Sequence, residues 1–354
     1  MFKYYKIYTC IMSDIKILSK YKNKGLSGLA NLGNTCFINS CIQIISHTYE
    51  LNEYLDSSKY SRVQDKKSLL SEWNSLRKIL WADNCTISPS RFIRSIQIEA
   101  KRNDLELFTG FAQNDLPEFL LFLINNFHDS ISRKVKMNIA GNVENETDQL
   151  ALKCFEMIKN MYSKEYSEVW NLFYGIHVSQ IKNTNGTPLS ETPEPFFMIN
   201  LPIPPNNKNP SLIDCFEHYT TGETLSGENA WYNENTKKKQ EVTKGICFWS
   251  LPNILTIDLK RFNNSNRKNQ VLVSFPLDEL DLSMYVIGYN NDGYVYELYG
   301  VCNHSGGVQG GHYTCYVKNA NGKWYLYNDT MVTVVKNPAE IISNKAYCFF
   351  YRKK

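Results

Sequence analysis

No stretch of the 354-residue sequence is apolar over the roughly 20 residues that a membrane-spanning helix needs. The N-terminal segment is interrupted by Lys3 and Lys6 and lacks a secretory core, so we expect no membrane association. The net charge of +4 is too small to indicate a nucleic-acid partner. The ten cysteines include no Cys-x-x-Cys pair and show no disulfide framework, which favours a reducing, intracellular compartment.

The composition is that of an ordinary globular protein, with 43% apolar and 21% charged residues. The length allows roughly two domains, or one extended unit that buries about three quarters of its unfolded surface. We find no internal repeat. The abundance of asparagine, lysine, isoleucine and tyrosine is compatible with an AT-rich coding sequence, such as one from a protist or a large virus.

Cys36 lies in a setting typical of a nucleophile, within Gly-Leu-Ala-Asn-Leu-Gly-Asn-Thr-Cys-Phe-Ile-Asn-Ser at positions 28–40. Apolar residues then recur at helical spacing, so we predict that Cys36 begins a helix, with Asn34 or Thr35 as its cap. Unpaired N–H groups and the helix dipole at such a position favour the thiolate, so we expect a lowered thiol pKa.

A second block, at positions 303–316, places a histidine on each side of a glycine-rich segment. A thiol nucleophile needs a base, and we assign that role to His312, which opens an alternating segment typical of a strand. A hairpin after this strand sets His312 opposite Asp329 if the loop has four residues, or opposite Met331 if it has two. Either register brings Asn328 and Asp329 close to His312.

Asn328 can accept the imidazole N–H and fix the tautomer of His312, with Asp329 sharing that role. A thiolate–imidazolium pair does not require a buried carboxylate, so a neutral amide oxygen suffices. His304 allows two interpretations. The favoured one is a loop histidine bonded to nearby backbone, because one base is enough for the chemistry; the other is a residue that faces the substrate.

The blocks Gly28 to Gln43 and Tyr299 to Asp329 resemble the cysteine and histidine boxes of the ubiquitin-specific proteases, papain-like thiol isopeptidases that remove ubiquitin from proteins. Further blocks in the family's order lie between them, and the resemblance covers about residues 26–353. These blocks are Phe108 to Leu120, Glu194 to Phe196 with Leu201 to Pro204, Leu225 to Asn229, and Leu255 to Phe262 with its Leu-Lys-Arg-Phe end.

The resemblance implies that Cys36 is the nucleophile, His312 the base and Asn328 the orienting residue, with Asp329 beside it. It also places Asn31 where the family keeps a side-chain amide that stabilises the oxyanion together with the backbone N–H of Cys36. Without the resemblance, Asn31 would be interpreted as a turn asparagine before a glycine.

Substrate-facing positions of the family match Gln113, Asp115 and Glu118, where acidic groups meet arginines in the C-terminal tail of ubiquitin. The same two acids also have the spacing of a capping box at the start of a helix, and both interpretations can hold. The glycine-rich segment, which includes Gly310 and Gly311, lets a loop lie against an extended Gly-Gly tail. Residues 263–270 resemble a second such loop.

One departure from the family concerns the zinc site at the tip of the fingers. The family usually carries two Cys-x-x-Cys pairs there, and these positions align with Asn183 and Gly186, then Asn233 and Thr236. We therefore expect no zinc, no other cofactor, and a looser or shorter fingertip held by strand pairing alone. The catalytic residues are untouched by this change.

The predicted fold is α+β and papain-like, with a helical thumb at about 25–165, β fingers at about 173–250, and an antiparallel palm at about 251–354 that includes parts of the rest of the chain. Residues 1–24 form an N-terminal extension. We expect a thiol-dependent deubiquitinase acting on ubiquitin or ubiquitinated proteins, with neither nucleic acid nor membrane as partner. A non-catalytic ubiquitin-binding scaffold of the same fold and a protease for a ubiquitin-like modifier are the alternatives.

Overall fold

The computed structural model describes residues 15–63, 68–110, 112–263, 265, 267–289, 291–307 and 310–354. Its α-helices are α1 (Ile15–Tyr21), α2 (Cys36–Ser46), α3 (Tyr49–Leu55), α4 (Ser58–Val63), α5 (Leu69–Leu80), α6 (Ser90–Arg102), α7 (Leu116–Asp129), α8 (Glu146–Tyr162), α9 (Glu168–Phe173) and α10 (Leu212–Thr220). The strands are β1 (Gly28–Leu29), β2 (Thr86–Ile87), β3 (Gly175–Asn183), β4 (Pro188–Phe196), β5 (Met198–Pro202), β6 (Glu223–Leu225), β7 (Trp231–Asn233), β8 (Lys238–Gln240), β9 (Val242–Ser250), β10 (Ile254–Lys260), β11 (Leu280–Asp281), β12 (Val295–Gly307), β13 (Gly310–Lys318), β14 (Trp324–Asn328), β15 (Met331–Val334) and β16 (Ala346–Lys353).

The thumb is built around α2, whose residues are all buried. Most of its side chains are apolar, and a helix that is apolar on all sides must lie inside the protein. It packs between α7 and the strand β13 of the palm. The helical spacing of apolar residues continues in the sequence to Leu51 and Leu55, but α2 ends at Ser46 and a separate α3 begins at Tyr49.

The palm is a large sheet with strand order β15-β14-β13-β12-β16-β10-β5, and β11 pairs with β12. The sequence predicts an edge or closing strand at 346–351, but β16 lies inside the sheet between β12 and β10. Its residues from Ala346 to Tyr351 are buried on both faces, as a continuous apolar run requires. The final strand of the chain is therefore central to the palm.

Strand β10 is also more buried than its alternating sequence indicates. We predict cover on one side only, yet Thr256 and Asp258 are 0% and 8% exposed, and α9 packs against the strand. Burial raises the pKa of the Asp258 carboxyl well above its usual range. The alternation of apolar and polar side chains thus fails to mark the solvent side here.

The fingers contain the sheet β4-β3-β9-β6 and the hairpin β7-β8. Two asparagines organise the turns at the positions that align with the family's zinc ligands. The Asn183 Oδ1 accepts from the N–H groups of Asn185 (3.0 Å) and Thr187 (2.8 Å). The Asn233 Oδ1 accepts from those of Asn235 (2.9 Å) and Thr236 (3.3 Å). Side-chain hydrogen bonds, and not strand pairing alone, therefore shape the fingertip.

The described part of the N-terminal extension packs on the thumb. Tyr21 is 2% exposed and stacks on Tyr49 with ring centroids 4.5 Å apart. The Asn23 N–H donates to the Asn319 side chain at the tip of the β13-β14 hairpin. Residues 1–14 lie outside the described residues, and the predicted boundary at residue 25 stays a prediction.

A helical thumb, a palm and β fingers form the predicted α+β architecture, but the palm is not wholly antiparallel, because β5, from the segment predicted as fingers, pairs with β10 in parallel. The thumb helix α2 carries Cys36 at its first residue, and the palm strand β13 carries His312. The candidate site therefore lies where thumb and palm meet.

Candidate active site

Cys36 is the first residue of α2, and the loop before it is organised by Asn31. The Asn31 Oδ1 accepts from the backbone N–H groups of Gly33 (3.2 Å) and Thr35 (3.1 Å). Thr35 occupies the N-cap position, as one of the two predicted alternatives has it, but its side chain makes no cap hydrogen bond, and its Oγ1 accepts from the Leu32 N–H instead. The backbone N–H groups of the first helical turn have no intrahelical acceptor, and they point toward the Cys36 thiol.

The Cys36 thiol is buried, with 2% of the residue exposed. Burial raises its pKa above the ordinary value, and the nearby Asp329 carboxylate raises it further. Hydrogen bonds from the backbone N–H groups of Tyr313 and Phe37 lower the pKa but do not compensate. The predicted lowering is therefore wrong for this state, because desolvation of the sulfur outweighs the helix terminus.

His312 forms the predicted contact with Asn328, with its Nε2 2.7 Å from Oδ1. Since the amide oxygen only accepts, Nε2 carries the proton and Nδ1 is left as the basic nitrogen. The hydrogen bond from Tyr313 to the Cys36 sulfur joins the residue next to His312 to the nucleophile. Two segments far apart in the chain thus meet at the thiol, through the residue that follows His312.

The hairpin register differs from both predicted alternatives. Cys315 pairs with Tyr327 and Lys318 with Trp324, so continuing the register sets His312 level with Thr330. The loop has three residues, Ala320 to Gly322, because the Asn319 N–H still bonds the Lys323 carbonyl. Gly322 adopts a φ of 81°, which suits the bulge that ends such a loop.

Asp329 bonds the side of the site that carries Asn31, and not His312 as predicted. Its carboxylate accepts from the Asn31 Nδ2 at 3.0 Å and from the Asn39 Nδ2 at 2.7 Å. Its backbone has a φ of 49° and accepts from the Leu29 N–H. Asp329 thus orients the amide of Asn31, whereas Asn328 alone bonds His312 among the described residues.

Asn31 is exposed at the mouth of the cleft. One N–H of its amide is held by Asp329, and an amide nitrogen carries two hydrogens, so a second remains for a ligand. Asn31 is therefore both the turn asparagine and a side-chain donor beside the helix start.

Gln113 bridges thumb and palm. Its Nε2 donates to the Gly311 carbonyl (2.7 Å), and its Oε1 accepts from the Gly311 N–H (2.6 Å). The β14 pairing with β13 runs from Cys315 to Lys318, so the start of β13 has a free backbone edge that this side chain occupies. The Gln113 amide acts there as a strand would. Gly310 lies directly beside it.

Asp115 stands at the N-cap position of α7 but forms no capping box, since its side chain makes no cap hydrogen bond. Its carboxylate instead accepts from the hydroxyls of Tyr313 (3.0 Å) and Tyr347 (3.1 Å). Burial raises the pKa of this carboxyl. Glu118 lies one turn along the helix and is exposed.

His304 is 4% exposed and sits beneath Gly311. A Cβ added to Gly311 would lie 2.3 Å from the His304 Nε2, so only glycine fits at this position. Lys268, from the segment predicted as a second loop, bonds the other ring nitrogen. Positions 264, 266, 308 and 309 of the two loops lie outside the described residues.

Sequence reasoning missed several residues of the cleft. Asn39 is 2% exposed, one turn after Cys36, and a polar residue on a helix with this much apolar surface is the signal that could have found it. Tyr313 and Tyr347 read as strand aromatics, and only the fold shows that they hold Asp115.

Across the described ranges, no helix is both long and apolar enough to span a bilayer. The same residues contain no group of three or more histidine, cysteine, aspartate or glutamate side chains suited to hold a metal ion. The predicted absence of zinc stays a prediction.

A cysteine at a helix start, beside a histidine held by an asparagine, is the arrangement of papain-like cysteine proteases. The model of the family described as ubiquitin carboxyl-terminal hydrolase matches residues 27–351. The chain therefore belongs to the ubiquitin carboxyl-terminal hydrolase family.

Relatives with curated names agree with this family. The chain is 34% identical over 342 residues to ubiquitin carboxyl-terminal hydrolase 2 of Homo sapiens, covering 93% of this chain and 55% of that protein. It is 35% identical to the Gallus gallus protein of the same name, covering 93% of both. It is 31% identical to Usp2 of Drosophila melanogaster, covering 94% of this chain and 35% of that one. The chain thus spans only about half the length of the human relative.

Solved structures share the fold. The SAGA DUB module bound to ubiquitin aldehyde aligns with a TM-score of 0.72 and 24% identity, covering 94% of this chain and 70% of that chain. The same module bound to monoubiquitin aligns with a TM-score of 0.73 and 23% identity, with the same coverage.

Proposed function

We propose that the protein is a thiol-dependent deubiquitinase that hydrolyses the isopeptide or peptide bond after the C-terminal glycine of ubiquitin. The observation that carries the proposal is that the backbone N–H of Tyr313, directly after His312, bonds the Cys36 sulfur, while Asn328 bonds His312 and Asp329 bonds Asn31. The family and the names of the relatives, ubiquitin carboxyl-terminal hydrolases, support the same reaction.

In the proposed reaction, the His312 Nδ1 takes the proton of the Cys36 thiol as the sulfur attacks the glycine carbonyl carbon. Asn328 holds Nε2–H throughout, so it stabilises the imidazolium that forms. His312 then gives its proton to the leaving lysine amine, and a thioester remains on Cys36. Water, deprotonated by His312, hydrolyses the thioester and releases ubiquitin.

The negative oxygen of each tetrahedral intermediate is stabilised by the Cys36 backbone N–H and the Asn31 side chain. Asp329 keeps Asn31 in place through the 3.0 Å bond to Nδ2, and the bond to Asn39 anchors the carboxylate in turn. A preorganised donor needs no rearrangement as charge develops, which is why such residues lower the barrier. Asp329 therefore acts through Asn31 in this scheme.

The tail of ubiquitin enters between α7 and the start of β13. Gly310 and Gly311 leave room for it, and its main chain can take over the Gly311 bonds that Gln113 makes in the free protein. Asp115 and Glu118 offer negative charge for arginines of the tail, and His304 forms part of the floor. These roles follow the family resemblance and the positions of the residues around the cleft.

The partners we propose are ubiquitin and ubiquitinated proteins, and the reducing compartment expected from the cysteines stays a prediction. Neither nucleic acid, nor membrane, nor zinc enters the proposal. The chain spans only part of the human relative, so further partners of a longer protein lie beyond this scheme.

A panel of modifier proteins with C-terminal electrophiles tests the proposal. Wild-type protein should form a covalent adduct with the ubiquitin probe, and Cys36→Ala should form none while still binding ubiquitin. A wild-type protein that is folded and binds ubiquitin without an adduct would be the non-catalytic scaffold. Faster adduct formation with a ubiquitin-like probe would reassign the substrate.

A further inference from the structure

Lys268 reaches across from the 263–270 segment to His304 on β12. Its Nζ lies 3.2 Å from the His304 Nδ1 and 2.5 Å from the His304 carbonyl oxygen. An ammonium group has donors and no acceptor, so Nδ1 must be the unprotonated ring nitrogen. The contact therefore selects one neutral tautomer of His304, the one with its proton on Nε2.

The other ring nitrogen of His304 faces the cleft. The ring stacks on Tyr313 with centroids 4.6 Å apart and an angle of 29°, which fixes its plane. The Nε2 atom lies under Gly311, at the free edge of β13. No hydrogen bond from Nε2 to another described residue is present. The Nε2–H is therefore available to an acceptor that a ligand supplies.

No ion pair within the described residues explains the position of the Lys268 side chain. Within the described parts of the chain, Lys268 forms no salt bridge, and the charged groups that face it are Arg261 and Lys345. Burial, together with these two cations, lowers the pKa of Lys268 to about 8. Burial and the Lys268 charge lower the pKa of His304 to about 4, so the imidazole is neutral at physiological pH. The Lys268 ammonium group is thus partly buried beside two other cations, and its polar contact is His304.

We propose that Lys268 is a positioning residue, which fixes His304 so that its Nε2–H donates to a main-chain carbonyl of the substrate tail beside Gly311. The inference rests on the proposed function, because it takes the tail of ubiquitin to run along the free edge of β13. Recognition of a main-chain carbonyl is independent of side chains, which suits a tail that ends in glycines.

The tautomer can be measured without any activity. In protein with ¹⁵N-labelled histidine, the His304 signals should show a protonated Nε2 and an unprotonated Nδ1. Lys268→Met should shift the ring toward the Nδ1–H form, which can then donate to the nearby carbonyl. Lys268→Arg, which keeps N–H donors, should retain the wild-type tautomer. An unchanged tautomer in Lys268→Met would overturn the proposal.

Kinetics with a ubiquitin C-terminal amide separates positioning from a general structural role. Lys268→Met should raise KM about tenfold, the factor that corresponds to one hydrogen bond of about 1.4 kcal/mol, and leave kcat within about twofold. The same change in a His304→Phe background should have no further effect. Lys345→Met is the matched control, since it removes a neighbouring cation that gives His304 no side-chain hydrogen bond.

The outcomes distinguish this proposal from the proposed function. If no ubiquitin substrate is cleaved, the deubiquitinase assignment fails, and the tautomer measurement still decides whether Lys268 fixes His304. If the tautomer changes while KM does not, His304 makes no useful contact with the tail, and the inference fails although the hydrolase stands. A fall in kcat with unchanged KM would likewise contradict it.

Discussion

In the cleft and at the fingertip, an asparagine side chain accepts hydrogen bonds from the backbone of its own turn, but the two asparagines have different roles. In the cleft, the Asn31 Oδ1 accepts from the N–H groups two and four residues ahead, those of Gly33 and Thr35. At the fingertip, the Asn183 Oδ1 accepts from the N–H groups two and four residues ahead, those of Asn185 and Thr187. Asparagine suits both turns because its short amide bonds its own backbone.

The difference lies on the nitrogen side of the amide. The Asn31 Nδ2 donates to Asp329, 298 positions along the chain, whereas the Asn183 Nδ2 has no hydrogen-bond partner in the part of the chain that the structure describes. The distant carboxylate of Asp329 therefore orients the side-chain N–H of Asn31, while no such partner orients Asn183 in the described residues. The local sequence specifies the turn, and the tertiary fold specifies the role.

Substitution of Asn31 and of Asn183 should have the most different effects on kcat. Asn31→Ala should lower kcat roughly 10²–10³-fold, since it removes an oxyanion donor. Asn183→Ala should leave kcat within about twofold, because the fingertip turn is far from the chemistry. Both are measured with a ubiquitin C-terminal amide substrate.

Asn31→Asp distinguishes the two roles of Asn31. An aspartate keeps an oxygen for the turn N–H groups but has no N–H to donate. It should therefore be as slow as Asn31→Ala. Wild-type kcat in Asn31→Asp would show that the turn, and not the donor, matters.

Asp329→Asn should have the next largest effect. It replaces the charged acceptor of Asn31 and Asn39 with a neutral amide, and a hydrogen bond to a charged group is worth about 1.5–3 kcal/mol. We expect kcat to fall roughly 10- to 100-fold while the His312–Asn328 bond is retained. Hydrolysis rates and the ¹⁵N signals of His312 check both parts, and a perturbed His312 tautomer would return Asp329 to the role first predicted.

Two glycines of the loop near His312 form a matched pair. A Cβ at Gly311 would lie 2.3 Å from the His304 Nε2 and 2.5 Å from the Ser305 oxygen, whereas one at Gly307 meets nothing within 4 Å. Gly311→Ala should lower kcat/KM at least about tenfold, since overpacking typically costs about 1–3 kcal/mol. Gly307→Ala should stay near wild type. Equal losses of kcat/KM in both variants would indicate that glycine is needed for backbone freedom, and not for the close approach of His304.

The fingertip should respond in stability. Asn233→Ala removes an acceptor for two N–H groups of the β7–β8 turn and should lower the free energy of unfolding by about 1 kcal/mol. A chelator should leave Tm unchanged, because we expect no metal at this tip. Calorimetry with and without chelator tests both, and a chelator-dependent fall in Tm would reveal a metal site.

The pH dependence of thiol alkylation should show a modest shift. Burial raises the pKa of Cys36, so its thiolate is populated only as the pH rises above that of a free cysteine, about 8.5. The rate of alkylation in the substrate-free protein should increase with pH with a midpoint above that value. A midpoint below it would show that the thiol is already activated without substrate.

Much of the site was predictable because its residue types are tied to chemistry. The choice of Cys36, His312 and Asn328 follows from the residue types that a nucleophile, a base and an orienting amide need, and the structure bonds His312 to Asn328 and the neighbouring Tyr313 N–H to the Cys36 sulfur. The role of Asp329 was not predictable, since this residue lies in the turn after β14, with a φ of 49°, and its carboxylate bonds Asn31 and Asn39, which are distant in sequence.

Burial was the other quantity that local sequence did not convey. Alternation in β10 indicates a solvent face at Asp258, but the residue is only 8% exposed. The helix-start argument indicates an acidified Cys36, but the same packing that holds α2 in the core desolvates the sulfur. Both errors arise because tertiary cover is set by segments distant in sequence.

The release of free ubiquitin from ubiquitin joined through its C-terminal glycine to a lysine peptide tests the central claim most directly. We predict that wild-type protein releases ubiquitin through a thioester that acid quench and intact mass detect on Cys36, and that Cys36→Ala releases none. Release by Cys36→Ala at the wild-type rate, or no release by folded wild type that binds ubiquitin, would contradict the account.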